Sequence, residues 1–205
     1  MPKRDTYTTE TLLSVAVEVF NVRGYDGTSM EDLAKAAGIS KSSIYHHVSG
    51  KEELLRLAVT RALDGLFAVL DEPALADAGA AKQLAYVLDR TCLELVRNLP
   101  YVTLLLRVRG NSEAERAALA RRREFDHRVA ELVRAAVEEG DLRPELDPRL
   151  TSRLIFGLVN SVSEWYRPEG DAAAADGPQG GGSDGGREIA NALTTLVFEG
   201  LRRRD

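Results

Sequence analysis

The chain has 205 residues, a formal net charge of −5, 44% hydrophobic and 29% charged residues, and a single cysteine, Cys92. That balance is ordinary for a globular protein and excludes a histone-like basic coat, although not a local basic site. The longest strongly apolar run, 101–106, is far short of the ~20 residues of a membrane span, and residues 1–6 are followed by no apolar core of a secretory signal. A lone cysteine excludes an intramolecular disulfide and fits a reducing, cytoplasmic setting.

Helical periodicity runs through nearly the whole chain, with no strand alternation. The first predicted helix covers 9–23, with Leu12, Ala16, Val19 and Phe20 on one face, and Gly24 stops it. Thr28 and Glu31 have the spacing of a capping box, opening a short helix that Gly38 ends. Ser40 caps a third helix to about His47. Ser49 and Glu52 read as a second capping box, opening a long helix through Leu54, Ala58, Ala62, Leu66 and Val69. After a break at 73–79, a fifth helix covers 80–98 and Pro100 interrupts it; a short apolar segment follows to Val108. Ser112 and Glu115 box the start of a helix to about Glu139, which Gly140 ends. Asp147 followed by Pro148 starts a helix to Tyr166 that is apolar on more than one side. Residues 167–187 are Ala- and Gly-rich and are expected to form a mobile loop. The last helix, 188–203, is expected to turn Ile189, Leu193, Leu196, Val197 and Gly200 inward.

The segment from Thr28 to Lys51 follows the helix-turn-helix plan: two short helices joined by Ala37-Gly38-Ile39-Ser40. Ile39, Ile44 and Val48 fall on the packing side. Lys41, Ser42, Ser43, Tyr45 and His46 fall on the other, as donors suited to base edges and phosphates. Lys51 stands in the first turn of the next helix, where an ammonium and free backbone N–H groups suit a phosphate. Spacing alone leaves a plain three-helix packing unit as an equal reading. Charge does not decide it, because residues 1–55 carry six basic and eight acidic side chains. Attraction to DNA has to come from focused positions: Lys3, Arg4, Lys41, Lys51 and helix N-termini.

The stretch from Phe20 to Leu55, FNVRGYDGTSMEDLAKAAGISKSSIYHHVSGKEELL, resembles the DNA-binding domain of TetR-family (TetR/AcrR) transcriptional regulators in the spacing of every cap and glycine. The resemblance covers about residues 9–60. It implies an all-α fold of about nine helices: a helix-turn-helix DNA-binding domain over 1–50, then a helical effector-binding and dimerisation domain over 51–205. It implies DNA contacts from Lys41, Ser42, Ser43, Tyr45 and His46, with Thr28 and Lys51 on phosphates. Val48 departs from the pattern, standing where the family usually carries Phe, so this helix is expected to be held less firmly.

For the remaining chain the resemblance implies an effector pocket among the fifth to eighth helices. Leu88, Cys92, Leu105, Phe125, Val129, Asn160 and Trp165 are its candidates. The stretch Asn160–Gly170 resembles the eighth helix of fatty-acid, phenylacetate and sterol-catabolism repressors, several of which respond to acyl-coenzyme A thioesters. An anionic effector calls for cations such as Arg97, Arg107, Arg109 or Arg121–Arg123; solvated ion pairs are the simpler reading of each. Cys92 reads most simply as a small core residue. Gly157 and Ser161 permit close helix approach, and the two-sided helix 150–166 points to a homodimer. There is no catalytic constellation, phosphate-binding glycine loop, metal-ligand spacing or cofactor motif, so an enzyme is not expected. The expected partners are a double-stranded DNA operator, a small-molecule effector and a second copy of the chain, not a membrane. The competing class is a helical interaction module that keeps the fold without specific DNA binding, and a drug-like hydrophobe is the competing effector.

Overall fold

The computed structural model of the chain describes residues 8–73, 77–167 and 185–202. Lys3, Arg4 and most of the expected 167–187 loop lie outside them. Among the described residues there are nine helices and no strand: α1 (Thr9–Arg23), α2 (Met30–Ala37), α3 (Lys41–Tyr45), α4 (Lys51–Leu70), α5 (Ala80–Arg97), α6 (Leu99–Arg107), α7 (Glu113–Glu138), α8 (Pro148–Trp165) and α9 (Gly185–Leu201). They form two compact units. The first runs to Leu63 and takes in Pro100–Ala120; the second comprises Asp64–Leu99 and the chain from Arg121. The division therefore falls within α4 and α7, beyond the 50/51 boundary expected from the sequence.

Several helix starts are displaced from the expected caps. α2 is capped by Ser29, not Thr28: the Ser29 hydroxyl accepts from the Asp32 amide, and the Asp32 carboxylate accepts from the Ser29 amide. At the start of α4 it is Glu53, one residue past the expected Glu52, that accepts from the Ser49 amide and hydroxyl at 2.5 and 2.7 Å. Glu52 instead accepts from the Ala114 amide in the first turn of α7 at 3.3 Å. The box of Ser112 with Glu115 forms as expected. The break expected at Pro100 is present: α5 ends at its C-cap Asn98, and Pro100 sits in the first turn of α6, where a missing N–H costs nothing.

The first unit is built on the apolar faces of α1 and α4, with Leu12, Phe20, Leu33, Ile44, Leu54 and Leu55 all within 1% of complete burial. α6 belongs to it as well. Asn21 Nδ2 of α1 donates to the Pro100 carbonyl at 2.8 Å, and Arg107 donates to the Asn21 carbonyl at 2.5 Å. Glu115 is buried and accepts from the amides of Gly110, Asn111 and Ser112, which closes the turn between α6 and α7.

In the second unit α5 packs against α8 and α9. Cys92 is fully buried with Leu93 and Ala190 in that contact. Gly186 permits the close approach of α9, since a Cβ there would meet Val96 Cγ1 at 3.0 Å. Phe125 of α7 bridges Phe67 of α4 and Phe156 of α8 by edge-to-face contacts with centroids 5.8 and 5.2 Å apart. α9 begins at Gly185, earlier than expected; Ala190, Val197 and Phe198 are buried and Ile189 and Leu193 pack inward as expected, whereas Leu196, at 64% exposure, and Gly200 face outward.

Candidate nucleic-acid interface

Gly38 ends α2 in the left-handed conformation, φ 66°, which a side chain with a Cβ adopts only with strain. The turn it makes brings Ser40 to the N-cap of α3, where its hydroxyl accepts from the Ser43 amide at 3.1 Å. Ile44 and Val48 are buried at 0% and 4% exposure, so Val48 fills the packing position despite its smaller volume. Between them Lys41, Ser42, Tyr45 and His46 are exposed and Ser43 is partly so. Ser42 and Ser43 both hydrogen bond to the Ser40 hydroxyl, at 2.9 and 2.7 Å. Lys41 is ion-paired with Glu31 of α2. That pairing raises the Lys41 ammonium above its ordinary value and lowers the Glu31 carboxyl.

Two residues expected on phosphates are committed elsewhere. Thr28 is 2% exposed and its hydroxyl donates to the Gly24 carbonyl at 2.7 Å. The Lys51 ammonium donates to the carbonyls of Tyr25 and Thr28, each at 3.0 Å, and to that of Asp26 at 3.5 Å. It also lies over the Tyr25 ring, 4.5 Å from the centroid. Tyr25 in turn meets Phe20 edge-to-face at 5.3 Å. Burial, then the nearby carboxylates of Glu52, Asp26 and Glu115, push the Tyr25 phenol up to about 12.

The residues expected around an effector belong to both units. Leu105 lies in the first unit, while Leu88, Cys92, Phe125, Val129, Asn160 and Trp165 lie in the second. Leu88, Phe125 and Val129 are buried, and Asn160 is partly exposed. The Cys92 thiol, expected as a core residue, is in the α5–α9 contact, where burial pushes it up to about 11. Trp165 is exposed at 39%. Two of the arginines considered for an anion have protein partners: Arg107 on Asn21, and Arg121 on Asp64 at 2.8 Å while stacked over Phe67. Sequence reasoning passed over Thr91, whose hydroxyl is buried without a hydrogen-bond partner among the described residues. Its signal was a polar residue beside the apolar stripe of Leu84, Leu88 and Leu95.

Residues 12–58 match the family described as bacterial regulatory proteins of the tetR family, and residues 77–176 match the tetracyclin repressor-like C-terminal domain. The crystal structure of SCO3833, a member of the TetR transcriptional regulator family from Streptomyces coelicolor, is 59% identical, with 97% of this chain and 94% of that one covered and a TM-score of 0.85. The chain is a member of the TetR family of transcriptional regulators. Among other relatives, the HTH-type transcriptional repressor KstR2 of Mycobacterium tuberculosis is 28% identical over 171 residues, 80% of this chain and 83% of that protein. AibR, solved in complex with isovaleryl coenzyme A and operator DNA, is 25% identical, covers 93% of this chain and 97% of its own, and has a TM-score of 0.74.

TetR regulators are DNA-binding transcriptional regulators. No helix among the described residues is long and apolar enough to cross a membrane.

Proposed function

We propose that this TetR regulator is a cytoplasmic homodimeric repressor that leaves a near-palindromic operator when a small hydrophobic or acyl-coenzyme A effector binds its second unit. The observation that carries the DNA half is the exposed row Lys41, Ser42, Ser43, Tyr45 and His46 on a helix anchored by buried Ile44 and Val48. Ser42, Tyr45 and His46 face base edges, and Lys41 exchanges Glu31 for a phosphate.

The dimer reading is supported by α8. Its one face, Ile155, Val159, Val162 and Tyr166, is buried within the chain. Its opposite face leaves Leu150, Leu154, Leu158 and Trp165 exposed, at 56%, 61%, 42% and 39%. Gly157 and Ser161 lie along the same open face. The Ser161 hydroxyl is satisfied by the Leu158 carbonyl at 2.7 Å, so this stripe presents little unmet polarity. With Leu196 of α9 it is an apolar patch of the kind that marks an interface.

The effector reading rests on the second unit. Leu88, Phe125, Val129 and Asn160 are its proposed pocket residues, and the unpartnered Thr91 hydroxyl is a polar group a ligand would satisfy. AibR, with its bound isovaleryl coenzyme A, favours a thioester over a neutral hydrophobe. Thermal-shift titration with acyl-coenzyme A esters, free acids and neutral hydrophobes tests it, read beside release of bound DNA. Release by a thioester supports the reading. Stabilisation by neutral compounds alone, with no thioester effect on DNA, contradicts it.

A further inference from the structure

We propose that the second unit carries a further small-molecule site, for a zwitterionic α-amino acid with an apolar side chain, in a cavity between the first two turns of α5, the turn after α7 and the end of α9. The cavity measures about 570 Å³, within the usual range of small-ligand sites. None of Leu88, Thr91, Phe125, Val129 or Asn160 lines it, so it is distinct from the proposed effector pocket. The inference stands whether or not the repressor reading holds.

The walls are built by local structure. Helical spacing puts Ala81 and Ala85 on one flank of α5, and Thr194 and Phe198 on one flank of α9. Gly140, at φ 83°, turns the chain after α7. The Arg143 amide then donates to the Leu201 carbonyl at 3.1 Å, and Leu142 forms an antiparallel bridge with Arg202. The turn is thereby tied to the end of α9. Leu142 and Phe198 are buried and give the cavity an apolar floor, and the short side chains of the two alanines leave it room. Within this apolar lining Thr194 Oγ1 is buried without a hydrogen-bond partner among the described residues. Such an atom costs free energy until something bonds to it.

The rim is charged. Lys82 and Arg202 stand there with Asp141 and Glu199, all four exposed. Although two are cations and two are carboxylates, none makes an ion pair among the described residues. A balanced ring of unpaired charges is matched by a ligand that carries both signs. An α-amino acid offers its carboxylate to Lys82 and Arg202, its ammonium to Asp141 and Glu199, and its side chain to the apolar floor. A purely anionic or purely cationic ligand is repelled by one pair as it is drawn to the other. A neutral hydrophobe leaves all four charges unmatched.

The test uses the full-length protein and three probes of one shape: L-phenylalanine, phenethylamine and 3-phenylpropionate. Calorimetric titration at low salt is expected to show saturable binding of L-phenylalanine, about tenfold tighter than either half-charged probe. Hydrogen exchange locates it, with slower exchange expected at the amides of Leu142, Arg143 and Arg202 and none of that protection in α7 around Phe125. Thr194→Val should weaken binding about fivefold while the melting temperature of the free protein stays the same or rises. Lys82→Gln combined with Arg202→Gln should weaken L-phenylalanine about tenfold and spare phenethylamine. Ala85→Leu, which fills the cavity, should abolish binding with helical content intact; if that variant does not fold, the paired glutamines, at exposed positions, carry the test. The proposal is overturned by no saturable binding of L-phenylalanine at millimolar concentration, which leaves four solvated charges and a hydrated threonine. Equal affinity for the three probes, protection around Phe125 in place of Leu142, or full binding by Ala85→Leu or by the paired glutamines overturns it as well.

Discussion

Lys41, the first residue of α3, pairs its ammonium with the carboxylate of Glu31 in the first turn of α2. Both side chains are largely exposed, at 45% and 67%. On the proposed DNA face, Glu31 would compete with a phosphate for Lys41. Glu31→Gln is expected to tighten binding to all duplexes by about two- to fivefold at low salt, the gain shrinking as salt rises. Fluorescence-anisotropy titrations at several salt concentrations check this.

Three carboxylates, two in the helix-turn-helix and one in the first turn of α4, are held below their ordinary values. Asp32 is lowered first by the Ser29 hydroxyl and amide, Glu53 by the Ser49 amide and hydroxyl, and Glu31 by Lys41. A depressed folded value means that the folded state binds these protons less readily than the unfolded chain. The stability they contribute is present above the ordinary values of 3.8 and 4.5, and is lost as pH falls through the lower folded ones. Thermal melts between pH 6 and pH 3 should show a progressive fall below about 4.5. In Asp32→Asn that fall should be shallower, from a lower starting point at neutral pH.

The open face of α8 makes a prediction about assembly. Leu154 is 61% exposed, so replacing it costs the isolated chain little. Leu154→Glu should nonetheless yield monomers at micromolar concentration with their helical content intact. Operator binding should fall sharply, because two recognition helices about 34–36 Å apart, one turn of DNA, are needed to engage both half-sites. Sedimentation velocity reads the first outcome and a gel shift the second. A dimer that persists in Leu154→Glu would place the interface elsewhere.

Thr91 separates stability from effector binding. Its buried hydroxyl lacks a partner, so Thr91→Val should leave the melting temperature of the free protein unchanged or raise it. If the hydroxyl meets the effector, the same change should weaken effector-driven DNA release by about 5- to 20-fold, the worth of one hydrogen bond to a ligand. Paired melts and release titrations measure both.

Much of this architecture was legible in the chain. The periodicity that places Ile44 inward places Lys41, Ser42, Tyr45 and His46 outward, and Asp147 before Pro148 marks the start of α8. What escaped depended on partners distant in sequence. The Lys51 ammonium meets three carbonyls of the α1–α2 loop, contacts that no local pattern records. The caps at Ser29 and Glu53 lay one residue from equally good candidates, Thr28 and Glu52, and the choice between them was made by the loop and by α7. Asn21 and Arg107 tie the helix of Leu105 into the first unit through residues far apart in sequence. Leu196 has the apolar character of its inward neighbours, yet it stands 64% exposed.

The central claim is that the exposed face of α3 reads a specific duplex as part of a twofold dimer. Selection from a random-sequence duplex pool by the purified full-length protein, followed by footprinting of the winners, tests it most directly. The expected result is one enriched near-palindrome, protected symmetrically over two half-sites about one helical turn apart, with the preferred bases altered by Tyr45→Ala or His46→Ala. A pool that emerges without enrichment, or one whose preferences both substitutions leave untouched, would contradict it.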